Sequence, residues 1–245
     1  VGEPRLYRAL TGNRHLSGYR VCVKETDLWI QTEAVFKEKA RESIFRHRGY
    51  LESHIAACPE FLTAMAPLPT VAPAPAVVRE MAEAARAAGV GPMAAVAGAL
   101  AEAVGRELLE DSREAVVENG GDIFAKLNRP FTMAIDAGAS PLSYKIGLEL
   151  DASDTALGVC TSSGTVGHSI SYGCADAVCV VSESCALSDA AATAIANRVS
   201  GPEAIDAACD FGRSIERVQA VAVIVGDRIG LWGNTAIVPI RRAGP

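Results

Sequence analysis

Polar and apolar positions alternate on either side of Glu25-Thr26-Asp27. Tyr19, Val21 and Val23 share one face, and Leu28 and Ile30 share another, which predicts a β-hairpin over 19–32. From Glu33 to Ala57 the period lengthens. Val35, Phe36, Ala40, Ile44, Leu51 and Ile55 recur at helical spacing, and Pro59 closes the helix. The proline-rich stretch 59–75 reads as an ordered surface connector that is neither helix nor central strand. Pro75 then opens a helix that Gly89 ends, and after Val90-Gly91-Pro92 a second helix runs over 93–109. Its small residues Ala94, Ala97, Gly98 and Ala101 permit close approach of either a neighbouring helix or a planar ligand. Residues 114–127 read as a hairpin turning at Asn119-Gly120-Gly121-Asp122, and strands follow over 131–136 and 143–150. Residues 175–181 form a buried strand, and 188–199 a helix opening on Ser188 and Asp189. A helix over 202–215, a strand over 218–225 and a last strand over 235–240 complete the chain.

Helices grouped between antiparallel hairpins predict an α+β fold, a sheet with helices on one face. The order of elements over about 19–126 resembles that over about 131–240, so the expectation is a single domain, 1–245, built from two pseudo-repeats. The alternating strand-helix order of a dinucleotide-binding parallel sheet is missing, as are a GxGxxG and a P-loop.

With 49% hydrophobic residues the chain can bury a large core, and aromatics at 5% point to close-packed, alanine-rich helices. A net charge of -6 and a pI near 5.3 argue against non-specific nucleic-acid binding. No apolar run reaches the length of a membrane span, and the first residues lack a secretory core, so a cytoplasmic location without a membrane partner is expected. The seven cysteines show no zinc-like spacing and read as free thiols.

The chemistry concentrates in 158–199. Two glycines in Asn119-Gly120-Gly121-Asp122 allow positive φ or close approach to a ligand, or simply make a hairpin. Thr161, Ser162, Ser163, Gly164 and Thr165 supply hydroxyls and amides that suit a pyrophosphate, with His168 as donor or proton carrier and Asp176 as its orienter or a turn former. Asp189 and Thr193 are four residues apart, on one side of a helix. Oxygen ligands, few in number, suit magnesium better than zinc. Ser188 or Asp189 as a plain helix cap is the competing reading.

These segments, with ETDL at 25–28, VGPMAAVAGA at 90–99, ENGGDI at 118–123, TSSGTVGHS at 161–169 and the SDAAAT helix start, resemble the ApbE-like superfamily. Its best-known members are FAD:protein FMN transferases, and the chain is most similar to an uncharacterised cytoplasmic branch. The resemblance implies a T-fold-like domain and a site binding Mg2+ and FAD/FMN. The metal would be held by Asp189, Thr193 and the carbonyl of Ala192, and the nucleotide by Asn119, Gly120, Gly121, Asp122 and Thr161 to Thr165. His168 and Asp189 would be the catalytic residues. Two positions depart from the transferases: His168 is followed by Ser-Ile-Ser instead of a segment reaching Asp-Pro, and Ala97 stands where they carry lysine before glycine. The implied functions are thus a magnesium-dependent flavin-nucleotide transferase or pyrophosphate-cleaving enzyme, a non-catalytic flavin or nucleotide-binding protein, or an assembly module forming a homo-oligomer through its alanine-rich faces.

Overall fold

The computed structural model describes residues 15–69, 73–163 and 173–240. The first hairpin pairs β1 (Ser17–Val23) with β2 (Thr26–Thr32), and Tyr19, Val21, Val23, Leu28 and Ile30 are all buried, as the alternation requires. Four helices follow. α1 (Lys37–Ala57) starts four residues later than the spacing suggested, because Val35 stays exposed and anchors nothing. A short α2 (Glu60–Thr63) interrupts the connector, placing Phe61 in the core, so the proline-rich stretch is not wholly free of helix. α3 (Ala76–Ala88) begins after Pro75 and ends at Gly89, whose φ of 74° is the left-handed conformation that glycine adopts without penalty. A 3-10 turn at Pro92–Ala95 then leads into α4 (Val96–Leu108).

The chain next builds β3 (Ala115–Asn119) and β4 (Asp122–Lys126), then β5 (Phe131–Ala134), β6 (Ile146–Leu150), β7 (Leu157–Ser162) and β8 (Ala177–Ser182). After α5 (Cys185–Ala196) and α6 (Ile205–Ser214) come β9 (Val218–Val225), β10 (Arg228–Gly233) and β11 (Ala236–Pro239). Eight strands form one antiparallel sheet in the order β1-β2-β3-β4-β7-β8-β9-β10. The α+β expectation therefore holds, with one addition. β5, β6 and β11 make a separate three-stranded sheet.

Side-chain parity separates the two faces of the large sheet. Val178, Val180, Val221 and Val223 join the helices in one core, and Tyr19, Leu28, Val117, Phe124 and Cys160 pack with α1, α4 and α5 in a neighbouring one. On the opposite face Val159, Cys179, Val181, Ala220 and Ala222 meet Met133, Leu148 and Leu150 of the small sheet. The helices do lie on one face; the other face is covered by strands.

α5 is the central helix, and ten of its twelve residues are buried. A helix buried on nearly every side has little solvent face to orient it, so other contacts must fix its position. Gly158 supplies one: a Cβ there would lie 2.3 Å from Cys185 Cα, so β7 carries the first turn of α5 in direct backbone contact. Ser188 supplies another. Its hydroxyl donates to the Gly158 carbonyl at 2.9 Å and lies 2.9 Å from Ser182 Oγ.

Candidate functional site

α5 opens at Cys185, three residues before the start that the SDAAAT pattern suggested. Ser184 is its N-cap, accepting the Leu187 amide at 3.3 Å. Ser188 and Asp189 therefore sit one turn inside. Ser188 cannot cap, because its hydroxyl is committed to the sheet.

Asp189 caps a different helix. Its Oδ2 accepts the Gly98 amide at 2.9 Å, and the Ala97 amide also bonds to it, so the carboxylate finishes the N-terminus of α4. The approach is close because Gly98 has no side chain: a Cβ would lie 2.3 Å from the Cys185 carbonyl oxygen and 2.9 Å from Asp189 Cβ. The favour is returned. Glu102 of α4, 2% exposed, accepts the Cys185 amide at 2.7 Å and the Ser184 hydroxyl at 3.3 Å, finishing the N-terminus of α5. Arg106, one turn along α4, donates Nε to the other Glu102 oxygen at 3.0 Å. Of the alternatives for the small face of α4, a neighbouring helix fills the place at Gly98.

Asn119 and Asp122 pair across the β3–β4 turn, leaving Gly120 and Gly121 as its two central residues with φ of 71° and 115°. Positive φ at both positions is the turn that matches strand twist, and it is what glycine is needed for here. Asn119 donates Nδ2 to the Ala97 carbonyl at 3.0 Å, fastening the turn to the start of α4. Asp122 lies opposite Cys160 in the β4–β7 register, and by parity with Phe124 it faces the helices and Asp189.

Asp122 and Asp189 each keep some surface open to solvent, yet protein crowds both closely enough for burial to dominate their titration. Burial pushes Asp122 up to about 7; a bond from the Cys160 thiol opposes the rise and the Glu118 charge adds to it. Burial likewise holds Asp189 well above the usual carboxylate range, reinforced by the Asp122 charge and opposed by the Gly98 and Ala97 amides. The mutual repulsion falls on the acid that ionises second, here Asp189. Among the described residues no lysine or arginine acts on either carboxyl group. Beneath them lie two thiols, with Cys160 Sγ 3.5 Å from Cys185 Sγ; burial raises both, Cys185 to about 11. Buried thiols held protonated are inert packing.

A divalent cation fits this donor set. Two carboxylates with no counter-charge among the described residues, and the Thr193 hydroxyl one helical turn beyond Asp189, are hard oxygen donors that leave positions for water or phosphate. Among the described residues no group of three or more His, Cys, Asp or Glu is arranged around a metal, so a zinc-type cage is not present there.

The remaining predicted residues divide. Ser162 has the parity of Cys160 and faces the helices beyond Asp122; it is 4% exposed, and its hydroxyl has no hydrogen-bond partner among the described residues. Ser163 is also buried. Thr161 turns to the opposite face, where its hydroxyl bonds the Cys179 thiol, so its side chain is not beside the acids. The strand runs through Ser162, and strand alternation forces that direction. Ala192 is 1% exposed inside α5, its side chain in the core and its carbonyl within the helical ladder. Gly164, Thr165 and His168 lie outside the described residues. Asp176 takes the turn role: its carboxylate accepts the Gly226 amide at 2.7 Å in the β9–β10 connection. Sequence reasoning missed Glu102 and Cys160. Glu102 had a signal in its four-residue spacing to Arg106.

The chain matches a family model described as AbpE bacteria over residues 8–227. Among curated proteins it is 42% identical over 213 residues to a UPF0280 protein of Methanocella arvoryzae, covering 86% of each chain. It is 37% identical over 221 residues to a UPF0280 protein of Methanococcus aeolicus, covering 88% of this chain and 89% of that one. Among solved structures it is similar to the flavinyl transferase ApbE of Pseudomonas stutzeri in apo form, with a TM-score of 0.55 at 17% identity over 89% of this chain and 93% of that one. The ApbE protein of Thermotoga maritima gives a TM-score of 0.55 at 13% identity, over 88% and 96%. At these identities the structural likeness speaks for the fold. No single helix among the described residues is long and apolar enough to cross a membrane.

Proposed function

Because the chain belongs to the family described as AbpE bacteria, we propose that it is a magnesium-dependent enzyme that cleaves the pyrophosphate of a flavin dinucleotide, with FAD as the expected substrate and FMN as the retained or transferred part. The observation that carries this reading is the Asp122–Asp189 pair, two crowded acids with no cationic side chain among the described residues acting on them. The flavinyl-transferase names of the structural neighbours support the choice of ligand class.

Asp189 and Thr193 would hold the cation, with the Ala192 carbonyl offering a lone pair from within the helix. The cation would supply charge neutralisation on the bridging phosphates. The chain's own residues do the rest. The Gly120-Gly121 turn keeps side chains away from the ligand, and Asn119 holds that turn against α4. Ser162 offers a hydroxyl to a phosphate oxygen. His168 would take the proton from the attacking hydroxyl, either of water or of an acceptor threonine. One phosphoanhydride bond then breaks, one P–O bond forms, and AMP leaves.

The test is FAD turnover with and without magnesium, comparing wild type with Asp189→Ala. Metal-dependent release of AMP that the substitution abolishes is expected; no release from the wild type overturns the reading. A second reading has its own observation. Asp189 already caps α4, a structural use that a purely binding protein would also keep. Such a protein would retain flavin on purification and release no AMP.

A further inference from the structure

We infer that Asp122 is a second cation-holding carboxylate of this site, facing Asp189, so that the protein takes up a divalent cation before any nucleotide arrives. The inference rests on the site reading above but not on its reaction. Three placements support it. The Asp122 backbone is fixed by the tight turn at Gly120-Gly121 and by its pairing with Asn119 and Cys160, so its side chain leaves the strand on the helix side of the sheet. It shares the helix side of the sheet with Phe124, the side on which α5 presents Asp189. Asp189 in turn is held by the α4 amides, with Gly98 permitting the approach. Two acids are thereby brought together, and once ionised they repel each other unless something positive lies between them.

Ser162 supplies an independent sign of a ligand. Its hydroxyl is nine-tenths buried, points to the same side as Asp122 and Cys160, and finds no partner among the described residues. A buried hydroxyl left unbonded is unfavourable, and a water or an oxygen from the cation's coordination sphere would satisfy it. The other buried acid next to α5, Glu102, has Arg106 and shows no such gap.

The experiment titrates nucleotide-free protein with Mn2+, followed by electron paramagnetic resonance of the free ion, with magnesium as competitor. Wild type should bind one Mn2+ that excess magnesium displaces. Asp122→Asn and Asp189→Asn should each weaken binding by about tenfold or more, the order expected for losing one charged ligand. Asp206→Asn, an exposed acid on α6, should leave it unchanged. Circular dichroism checks folding, and Asp122→Ser serves as the second variant. The metal-induced rise in melting temperature should shrink in both Asp122 variants. Wild-type affinity in Asp122→Asn, or no Mn2+ uptake without nucleotide, overturns the inference. The two ideas fail separately. Magnesium-dependent FAD cleavage with normal Mn2+ affinity in Asp122→Asn keeps the proposed reaction and removes this inference. Mn2+ binding that needs both acids, without FAD cleavage, does the reverse.

Discussion

Glu102 and Asp189 occupy corresponding places: each is a carboxylate on one helix that finishes the N-terminus of the other. Their surroundings differ. Glu102 has the Arg106 guanidinium on its free oxygen, and it borders a cavity of about 400 Å3 lined by both signs of charge, with Arg86, Arg106 and Arg217 beside Glu80, Glu83 and Glu216. Asp189 has a second acid, Asp122, and among the described residues no arginine acts on it. Capping alone needs only the backbone amides, so the Glu102 arrangement shows what a structural carboxylate looks like here. The second acid beside Asp189 is what the cap does not account for.

Substitution can break that contrast. The largest effect is expected on divalent-cation affinity: Asp189→Ala should lower it by about 100-fold in calorimetric titration with Mn2+, while Glu102→Gln should leave it within about threefold. Next is stability. Glu102→Ala orphans amides at a buried helix start and should cost about 2–3 kcal/mol in urea unfolding, with cation binding kept in whatever remains folded. Acidity sharpens the comparison further. Asp122 keeps its proton to about 7 in the folded chain, whereas an unfolded chain releases it near the ordinary carboxylate value. Between those two values the folded state holds more protons, so the stability of metal-free protein should fall as pH rises from about 4 to about 7. The melting temperature should show that slope in wild type and a shallower one in Asp122→Asn, where burial still holds Asp189 up. The smallest effect belongs to Arg106→Gln. That side chain is 63% exposed, and its loss should cost about 1 kcal/mol or less by thermal unfolding.

Local pattern carried much of this into the sequence. The hairpins and the α3 boundaries were legible because period-two alternation and the Pro75–Gly89 asymmetry are local signals. The Asn119–Asp122 turn was legible because two adjacent glycines suit few other roles. The start of α5 was not. Apart from Ser188 and Asp189, residues 185–192 are small or apolar on every side, so no periodicity marks where the helix begins, and Ser188 imitates a cap while serving the sheet. The three-stranded sheet was hidden because β6 pairs with β11 from the far end of the chain. The direction of Thr161 depended on strand parity continuing through Ser162, which the run of hydroxyl residues at 161–163 does not signal. Asp189 was found as chemistry, but its bond to α4 required knowing that Gly98 lies against Cys185.

The exchange of helix caps has a consequence for assembly. α4 precedes the β3–β4 hairpin and α5 follows β8, so each helix waits for a residue made in the other part of the chain. Neither end is finished in isolation, and the register of one helix is dictated by the arrival of the other. A chain cut in the β6–β7 connection should give two pieces that are poorly ordered apart and that recover cooperative melting when mixed. The junction between them behaves like a lock with two keys, each carried by the opposite half.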